Sequence, residues 1–147
     1  MEENASADIS SLLFVDTWGW CTIANPKEDR HQQTKQIMEA LVESENHLIT
    51  TNFVLDETYT LIRFRIHHQA SVELHQRIER LTAGNLLKVI HITPKLEQMA
   101  WGIFEQYLDK SFSFTDCTSF VVMQLLGLTQ ALTDDHHFEQ MRFRILP

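Results

Sequence analysis

Cysteine, glycine, proline and positive charge are all scarce in this chain, and each shortage removes a class of protein. Two cysteines, Cys21 and Cys117, among 147 residues cannot form a disulfide framework, so a reducing compartment and a cytoplasmic location are expected. With only 4 Gly and 3 Pro there is no room for flexible linkers or low-complexity stretches, and no internal repeat is found. Long apolar runs are missing as well. The first, Leu12–Val15, falls far short of the roughly eighteen residues of a membrane span, and Met1–Ser10 before it is polar and acidic rather than a basic leader. Basic residues number 12 against 20 acids, a net charge of −8, which excludes a nucleic-acid binder that works through bulk positive charge. A protein that gathers carboxylates for a purpose is left open.

What the chain does contain is enough apolar and aromatic residue (44% and 10%) to bury a core, at a length that suits one domain. We expect a flexible segment over 1–10 and one compact domain over 11–147. Short apolar runs alternate with helical spacing. Strands are expected at Leu12–Val15, His47–Thr50, Leu86–Ile92, Leu128–Leu132 and Phe143–Leu146. Between them the spacing predicts several helices. One covers 28–44 with Pro26 close to its start; the next is capped by Thr51 or Asn52 and runs to about Ile66; a third spans 70–82 and stops at Gly84-Asn85. Further on, one helix runs from Pro94 to about Leu108, one is capped by Ser113 or Thr115 and ends near Gly127, and a short one lies around 135–140. Strands separated by helices imply right-handed crossovers. The expected class is therefore α/β, with a mostly parallel central sheet of about five strands flanked by helices. In such sheets the working site lies at the carboxyl ends of the strands.

Acids are placed to meet there. Asp16 follows the first strand and Asp134-Asp135 follow the fourth, though each also suits a turn or helix cap. Glu57 shares an i, i+4, i+8 row with Phe53 and Leu61, so it faces the interior or a cleft; a buried salt bridge to Arg63 or Arg65 is the alternative. Asp56 lies off that row and is expected in solvent. Asp116 opens a helix that is apolar nearly all round, Phe120-Val121-Val122-Met123 with Leu125-Leu126, so its amino end should be recessed; simple dipole complementarity is the other reading. Four carboxylates from separate elements repel one another unless a cation joins them. Hard oxygen ligands with few His or Cys suit Mg²⁺ or Mn²⁺, and the chemistry best served is phosphodiester hydrolysis. Thr17, Thr115, Ser119 and Thr133 stand beside these acids and can orient ligands or water.

Four ordered segments carry a family resemblance: Phe14-Val15-Asp16-Thr17, Asn52-Phe53-Val54-Leu55-Asp56-Glu57-Thr58, Phe114-Thr115-Asp116-Cys117, and Thr133-Asp134-Asp135-His136-His137-Phe138. Together, over about Leu12 to Leu146, the chain resembles the PIN-domain nucleases and, among them, the VapC-type toxins of toxin–antitoxin systems. The last segment fits the family's T-x-D-x-x-F pattern, which selects Asp135 over Asp134 as the principal acid. The resemblance implies a PIN-like nuclease domain over 11–147 and a divalent-metal-dependent endoribonuclease. It further implies an RNA substrate, a small antitoxin partner, a homodimer and no membrane association. Asp16, Glu57, Asp116 and Asp135 would be catalytic residues and ligands for Mg²⁺ or Mn²⁺, with Asp134 a further candidate. A PIN protein of RNA processing or RNA binding without a toxin role remains an alternative.

Other features invite other readings. Arg63-Phe64-Arg65-Ile66-His67-His68, with His75, Arg77 and Arg80, is the most basic stretch; Arg63, Arg65, His67 and His68 can follow RNA phosphates, or they can simply complement a helix C-terminus and cover apolar surface. No H-E-x-x-H or C-x-x-C pattern supports zinc, and His136 and His137 are expected at the surface or behind the ligands. Trp18, Trp20 and Trp101 are expected in packing or a dimer interface, with Trp18 or Trp20 able to wall the site. A phospho-receiver or a haloacid-dehalogenase-like phosphatase also gathers acids at a sheet rim. The first wants an acid pair after strand one and a late Lys, the second D-x-D; Asp16-Thr17-Trp18 supplies neither, and no Lys follows Lys110.

Overall fold

Apolar runs too short to be helices become five strands, and the order in which they pair creates the site. The computed structural model describes residues 12–44 and 47–147, so the expected flexible segment 1–10 lies outside the described residues. The strands are β1 (Leu13–Val15), β2 (Leu48–Thr51), β3 (Leu87–Ile90), β4 (Gln130–Leu132) and β5 (Arg144–Leu146). They form one sheet in the order β3-β2-β1-β4-β5, and every neighbouring pair is parallel. The chain steps outward from β1 through β2 to β3, then returns to place β4 on the other side of β1. Between β1 and β4 the winding reverses, which opens a crevice at their carboxyl ends.

Seven helices connect the strands among the described residues: α1 (Thr17–Ala24), α2 (His31–Glu43), α3 (Asn52–Arg65), α4 (His68–Ala83), α5 (Pro94–Gln106), α6 (Phe114–Leu126) and α7 (His136–Gln140). None is long and apolar enough to cross a membrane. Most follow the sequence signals. Thr51, rather than Asn52, caps α3 by accepting from the Val54 N–H (3.1 Å), and Asn52 instead reaches across to the Ile92 N–H (2.8 Å). Ser113, rather than Thr115, caps α6, and Gly127 ends it at φ +67°, a left-handed conformation suited to glycine.

Two expectations fail. No helix was expected over 17–24, and a single helix was expected from 28; instead α1 starts straight after Asp16, the chain turns at Asn25-Pro26, and α2 begins at His31. Local propensity does not favour α1, which contains Trp18, Gly19, Trp20 and two threonines. Tertiary packing holds it. Trp20 is fully buried, and its indole N–H donates to Thr50 Oγ1 (3.2 Å), which itself donates to the Val15 carbonyl (2.9 Å). Gly19 faces β4 so closely that a Cβ there would lie 2.8 Å from the Leu132 carbonyl oxygen and 3.0 Å from Val15 Cγ1. The second failure concerns α6. It is buried from Cys117 to Met123, but Leu125 and Leu126 in its last turn are exposed rather than enclosed.

The core lies on both faces of the sheet. Phe120 of α6 packs edge-on against Phe112 and Phe138 (centroids 5.0 and 5.1 Å apart), and Phe138 also meets Phe14 of β1. Phe138 thereby anchors α7, so the turn carrying Asp134 and Asp135 is held against the sheet. Gly19→Ala tests the seating of α1. Helix propensity alone would favour Ala by about 0.5–1 kcal/mol, but the clash is with backbone, and overpacking of this kind costs about 1–3 kcal/mol. The substitution is expected to lower the urea midpoint at unchanged m-value; a raised midpoint would refute the close packing of α1 on β4.

Candidate active site

Each acid reaches the crevice by a different route. Asp16 is the N-cap position of α1, and its backbone N–H donates to the Leu132 carbonyl (3.3 Å), tying the end of β1 to that of β4. Asp116 sits in the first turn of α6 in a capping box: its N–H donates to Ser113 Oγ (3.0 Å) while its Oδ2 accepts from the Ser113 N–H (3.1 Å). Asp135 caps α7, its Oδ1 accepting from the His137 N–H (2.9 Å). Glu57 projects from α3. All four, together with Asp134 and Glu28, line one groove of about 670 Å³.

Of the two surroundings expected for Glu57, interior or cleft, the structure shows the cleft. Its residue as a whole is exposed, not interior, and its carboxyl stands at the groove wall beside Leu61. Among the described residues no ion pair joins it to Arg63 or Arg65, nor any of the four acids to a Lys or Arg. Asp56 is exposed, on the solvent side as expected.

The electrostatics follow from burial and mutual repulsion. Asp16 is only 7% exposed, and desolvation pushes its pKa up to about 7; hydrogen bonds from Thr17 N–H and Thr133 Oγ1 oppose this, while the charges of Asp116 and Asp135 add to it. Glu57 is raised by partial desolvation and then by Asp116, Asp135 and Asp56. Asp116 is raised by desolvation, with the Ser113 N–H and His137 holding it down and Asp135 pushing it up. Among the described residues these anionic oxygens thus converge with no Lys or Arg ion pair to neutralise them.

Thr133 links two of the acids: its hydroxyl donates to Asp16 Oδ2 (2.9 Å) and accepts from the Asp135 N–H (3.1 Å). The other neighbouring hydroxyls differ. Thr17 lines the groove, and both its hydroxyl and that of Ser119 are buried without a partner among the described residues. Thr115 contributes a backbone carbonyl to Thr118 and does not line the groove.

His136 and His137 were expected at the surface or behind the ligands, and the structure divides them between these two places, with His137 against the acids. Its Nδ1 lies 3.2 Å from Asp116 Oδ2 and 3.1 Å from Asp135 Oδ1, and its ring packs edge-on to Phe112 (5.3 Å). His136 turns outward to Glu139 (2.8 Å). The available signal was the Asp135 cap of α7, since consecutive residues of a helical turn point about 100° apart and His136 and His137 cannot share one side. Asp116, Asp135 and His137 each offer a ligand atom within 4.8 Å of one another, so the donor set fits a divalent cation. The imidazole Nδ1 lies between two carboxylate oxygens, one from each acid.

The basic candidates are divided by the fold. Arg65 lines the acidic groove. Arg63 and His68 bond to each other (2.8 Å) on exposed surface, and His67 is the cap of α4, its Nδ1 accepting from the Ala70 N–H (3.0 Å). Trp18 walls the groove, with the Arg30 guanidinium 5.9 Å from its ring centre. Trp101 is exposed on α5, stacked on Phe104 (5.4 Å).

A parallel sheet with acids gathered at its winding reversal suits metal-assisted chemistry on phosphate groups, and comparison with known proteins gives the family. A PIN-domain family model matches residues 13–144, and the chain belongs to that family. The 23S rRNA-specific endonuclease VapC20 of Mycobacterium tuberculosis is 31% identical over 132 residues, covering 90% of this chain and 95% of that protein. The crystal structure of that Sarcin-Ricin loop cleaving toxin superposes with a TM-score of 0.75 at 32% identity over 89% of this chain and 95% of the other. A VapC ribonuclease of Archaeoglobus fulgidus is 28% identical over 117 residues, 78% of this chain and 72% of the relative. VapBC2 from Rickettsia felis, solved with a promoter DNA fragment, shares the fold alone: TM-score 0.66 at 12% identity, covering 92% and 97% of the two chains.

Burial of Asp16 makes a prediction about the protein freed of metal. Its folded pKa, about 7, lies above the ordinary 3.8, so between those values the folded state holds more protons than the unfolded one. Stability is therefore greatest at low pH within this window and falls as pH rises through about 7. The fall is expected to reach roughly 2–4 kcal/mol, with Glu57 and Asp116 acting in the same direction. Asp16→Asn should flatten it and raise the midpoint of chemical denaturation in EDTA at about pH 8. Equal stability of the two proteins across the range would contradict a buried, strained carboxylate.

Proposed function

We propose that this chain is a divalent-metal-dependent endoribonuclease that hydrolyses RNA phosphodiester bonds as the toxin of a toxin–antitoxin pair. The observation that carries the reading is the meeting of Asp16, Glu57, Asp116 and Asp135 in one groove at the sheet's winding reversal, in a chain 31% identical along nearly its whole length to an rRNA endonuclease. The nuclease domain is assigned to 11–147 and the site of action to the cytoplasm, where both cysteines stay free.

Asp16, Glu57, Asp116 and Asp135 are assigned as ligands for Mg²⁺ or Mn²⁺, with Asp134 at the edge of the set. When bound, such a cation lowers the pKa of the attacking water and neutralises charge developing on the phosphoryl group. The chain's own groups do the rest. Thr133 fixes the orientation of Asp16 through its hydroxyl and of the Asp135 backbone through its lone pair. His137 holds Asp116 and Asp135 at a fixed separation. Thr17 offers a buried hydroxyl at the groove floor, and Arg65 a cation on its wall for a phosphate next to the scissile one.

Purified protein is expected to cut RNA with Mn²⁺ or Mg²⁺, beginning with a stem-loop copied from the sarcin–ricin loop, and to stop in EDTA. Asp116→Asn should abolish cutting, and Thr133→Val should slow it by about 10–100-fold through loss of ligand orientation. Cleavage surviving EDTA and Asp116→Asn, or turnover of a small phosphomonoester with no RNA cleavage, would overturn the assignment.

A homodimer is part of the same proposal. Met99, Trp101, Phe104 and Leu108, on and just after α5, are exposed together with Leu125 and Leu126 of α6, the helix packed against α5. Apolar surface of this kind marks an interface. Light scattering is expected to give the mass of two chains, and Trp101→Ser with Leu125→Ser the mass of one; a monomeric wild-type chain would refute it.

A further inference from the structure

A second groove of about 1000 Å³ runs between the α1–α2 turn and α4. Lys27, Lys35, Arg65, Arg77 and Arg80 line it, with His31 and His67 and a single acid, Glu73. Five of the chain's 12 Lys and Arg thus meet in one place, in a protein of net charge −8. The basic stretch of the sequence supplies only part of this: Arg65, Arg77 and Arg80 belong to it, whereas Lys27 and Lys35 come from the other side of the groove. Among the described residues, Lys27, Arg65, Arg77 and Arg80 have no ion pair, and Lys35 makes only a loose 3.9 Å contact with Glu39. Uncompensated cations held together on a folded surface call for an anionic ligand.

The position of the groove narrows the choice. Arg65 lines both it and the acidic groove, so the two adjoin at that side chain. A polyanionic strand with one phosphate at the carboxylate centre has its neighbouring phosphates repelled by Asp16, Glu28, Glu57, Asp116, Asp134 and Asp135. On the Arg65 side they meet cations instead. Resting on the reading of the acidic groove as a ribonuclease centre, we propose that the α1–α2/α4 groove is the track for the substrate's sugar–phosphate backbone on one side of the cut. Arg65 stands at the junction and Arg77 and Arg80 farther along. Guanidinium forks suit phosphate oxygens, and contacts of this kind position a strand without reading its sequence. The acidic groove alone supplies the chemistry; the basic one supplies binding.

The test compares wild type, Arg77→Gln/Arg80→Gln, the charge-keeping Arg77→Lys/Arg80→Lys, and Lys95→Gln, which lies on α5 outside the groove. Kinetics on a single-stranded RNA oligonucleotide with Mn²⁺ are measured over a range of salt, and binding of the same oligonucleotide by fluorescence anisotropy in an Asp116→Asn background. The Gln pair is expected to raise KM about tenfold with kcat within about twofold, and to reduce the slope of log binding constant against log salt by about 1.4, two phosphate contacts at about 0.7 each. The Lys pair should recover most of the affinity and of the salt slope, and it is the slope that a merely structural role of the arginine stems would leave unmoved in the Gln pair; Lys95→Gln should change nothing. Unaltered KM and salt slope in the Gln pair overturn the track. So does unaltered RNA binding accompanied by lost binding of poly-glutamate, which would assign the groove to an acidic protein partner. RNA binding by wild type without cleavage would instead sink the ribonuclease reading while leaving the groove's ligand as proposed.

Discussion

The burial of Asp16 among like charges is the constraint on which the rest of the structure depends. A carboxylate 7% exposed beside Asp116 and Asp135 is unfavourable in its ionised form. It persists because the surroundings leave it nowhere else to go. The strand before it is fully buried, its N–H is bonded to β4, and α1 behind it is fastened by Trp20 to Thr50 and by Gly19 against Leu132. The sheet, α1 and the aromatic cluster around Phe120 and Phe138 together hold anionic oxygens closer than they would choose. Relief of that repulsion is what a bound cation would contribute.

The same constraint divides the molecular surface. Acids concentrated at the winding reversal make the groove a place for a cation and a poor one for bare phosphates. Cations collected between the α1–α2 turn and α4 do the opposite. A net charge of −8 therefore describes neither surface. It is a sum over two regions of opposite sign, with Arg65 where they meet, and the acid excess is compatible with an RNA substrate because contact is local.

Much of the fold was legible in sequence because its signals are local. Short apolar runs ending at Asp16 or Thr51, the Ser113 capping position and Gly127 after an apolar helix each name an element within a few residues. Helix α1 was not legible. Trp18-Gly19-Trp20-Cys21-Thr22 has neither helical periodicity nor helix-favouring composition, and what makes it helical is the space left for it between β4 and β2. The exposed last turn of α6 was missed for the opposite reason, since an apolar stretch looks the same in sequence whether the fold covers it or leaves it exposed.

For the site, sequence by itself determined which side chains were eligible. Asp16, Glu57, Asp116 and Asp135 stand at element boundaries or on a helix row that faces inward, and an ordered set of such acids follows from local chain direction alone. Tertiary structure decided how they are used. It set Glu57 at the groove wall rather than in the interior and brought His137 between Asp116 and Asp135. It kept Arg65 at the groove while leaving Arg63 and His68 outside, and joined Lys27 and Lys35 to Arg77 and Arg80. The physical reason is one of range. Capping, periodicity and turn chemistry act over a few residues and are written in order along the chain, whereas repulsion, desolvation and charge complementarity act through space between residues the sequence keeps far apart.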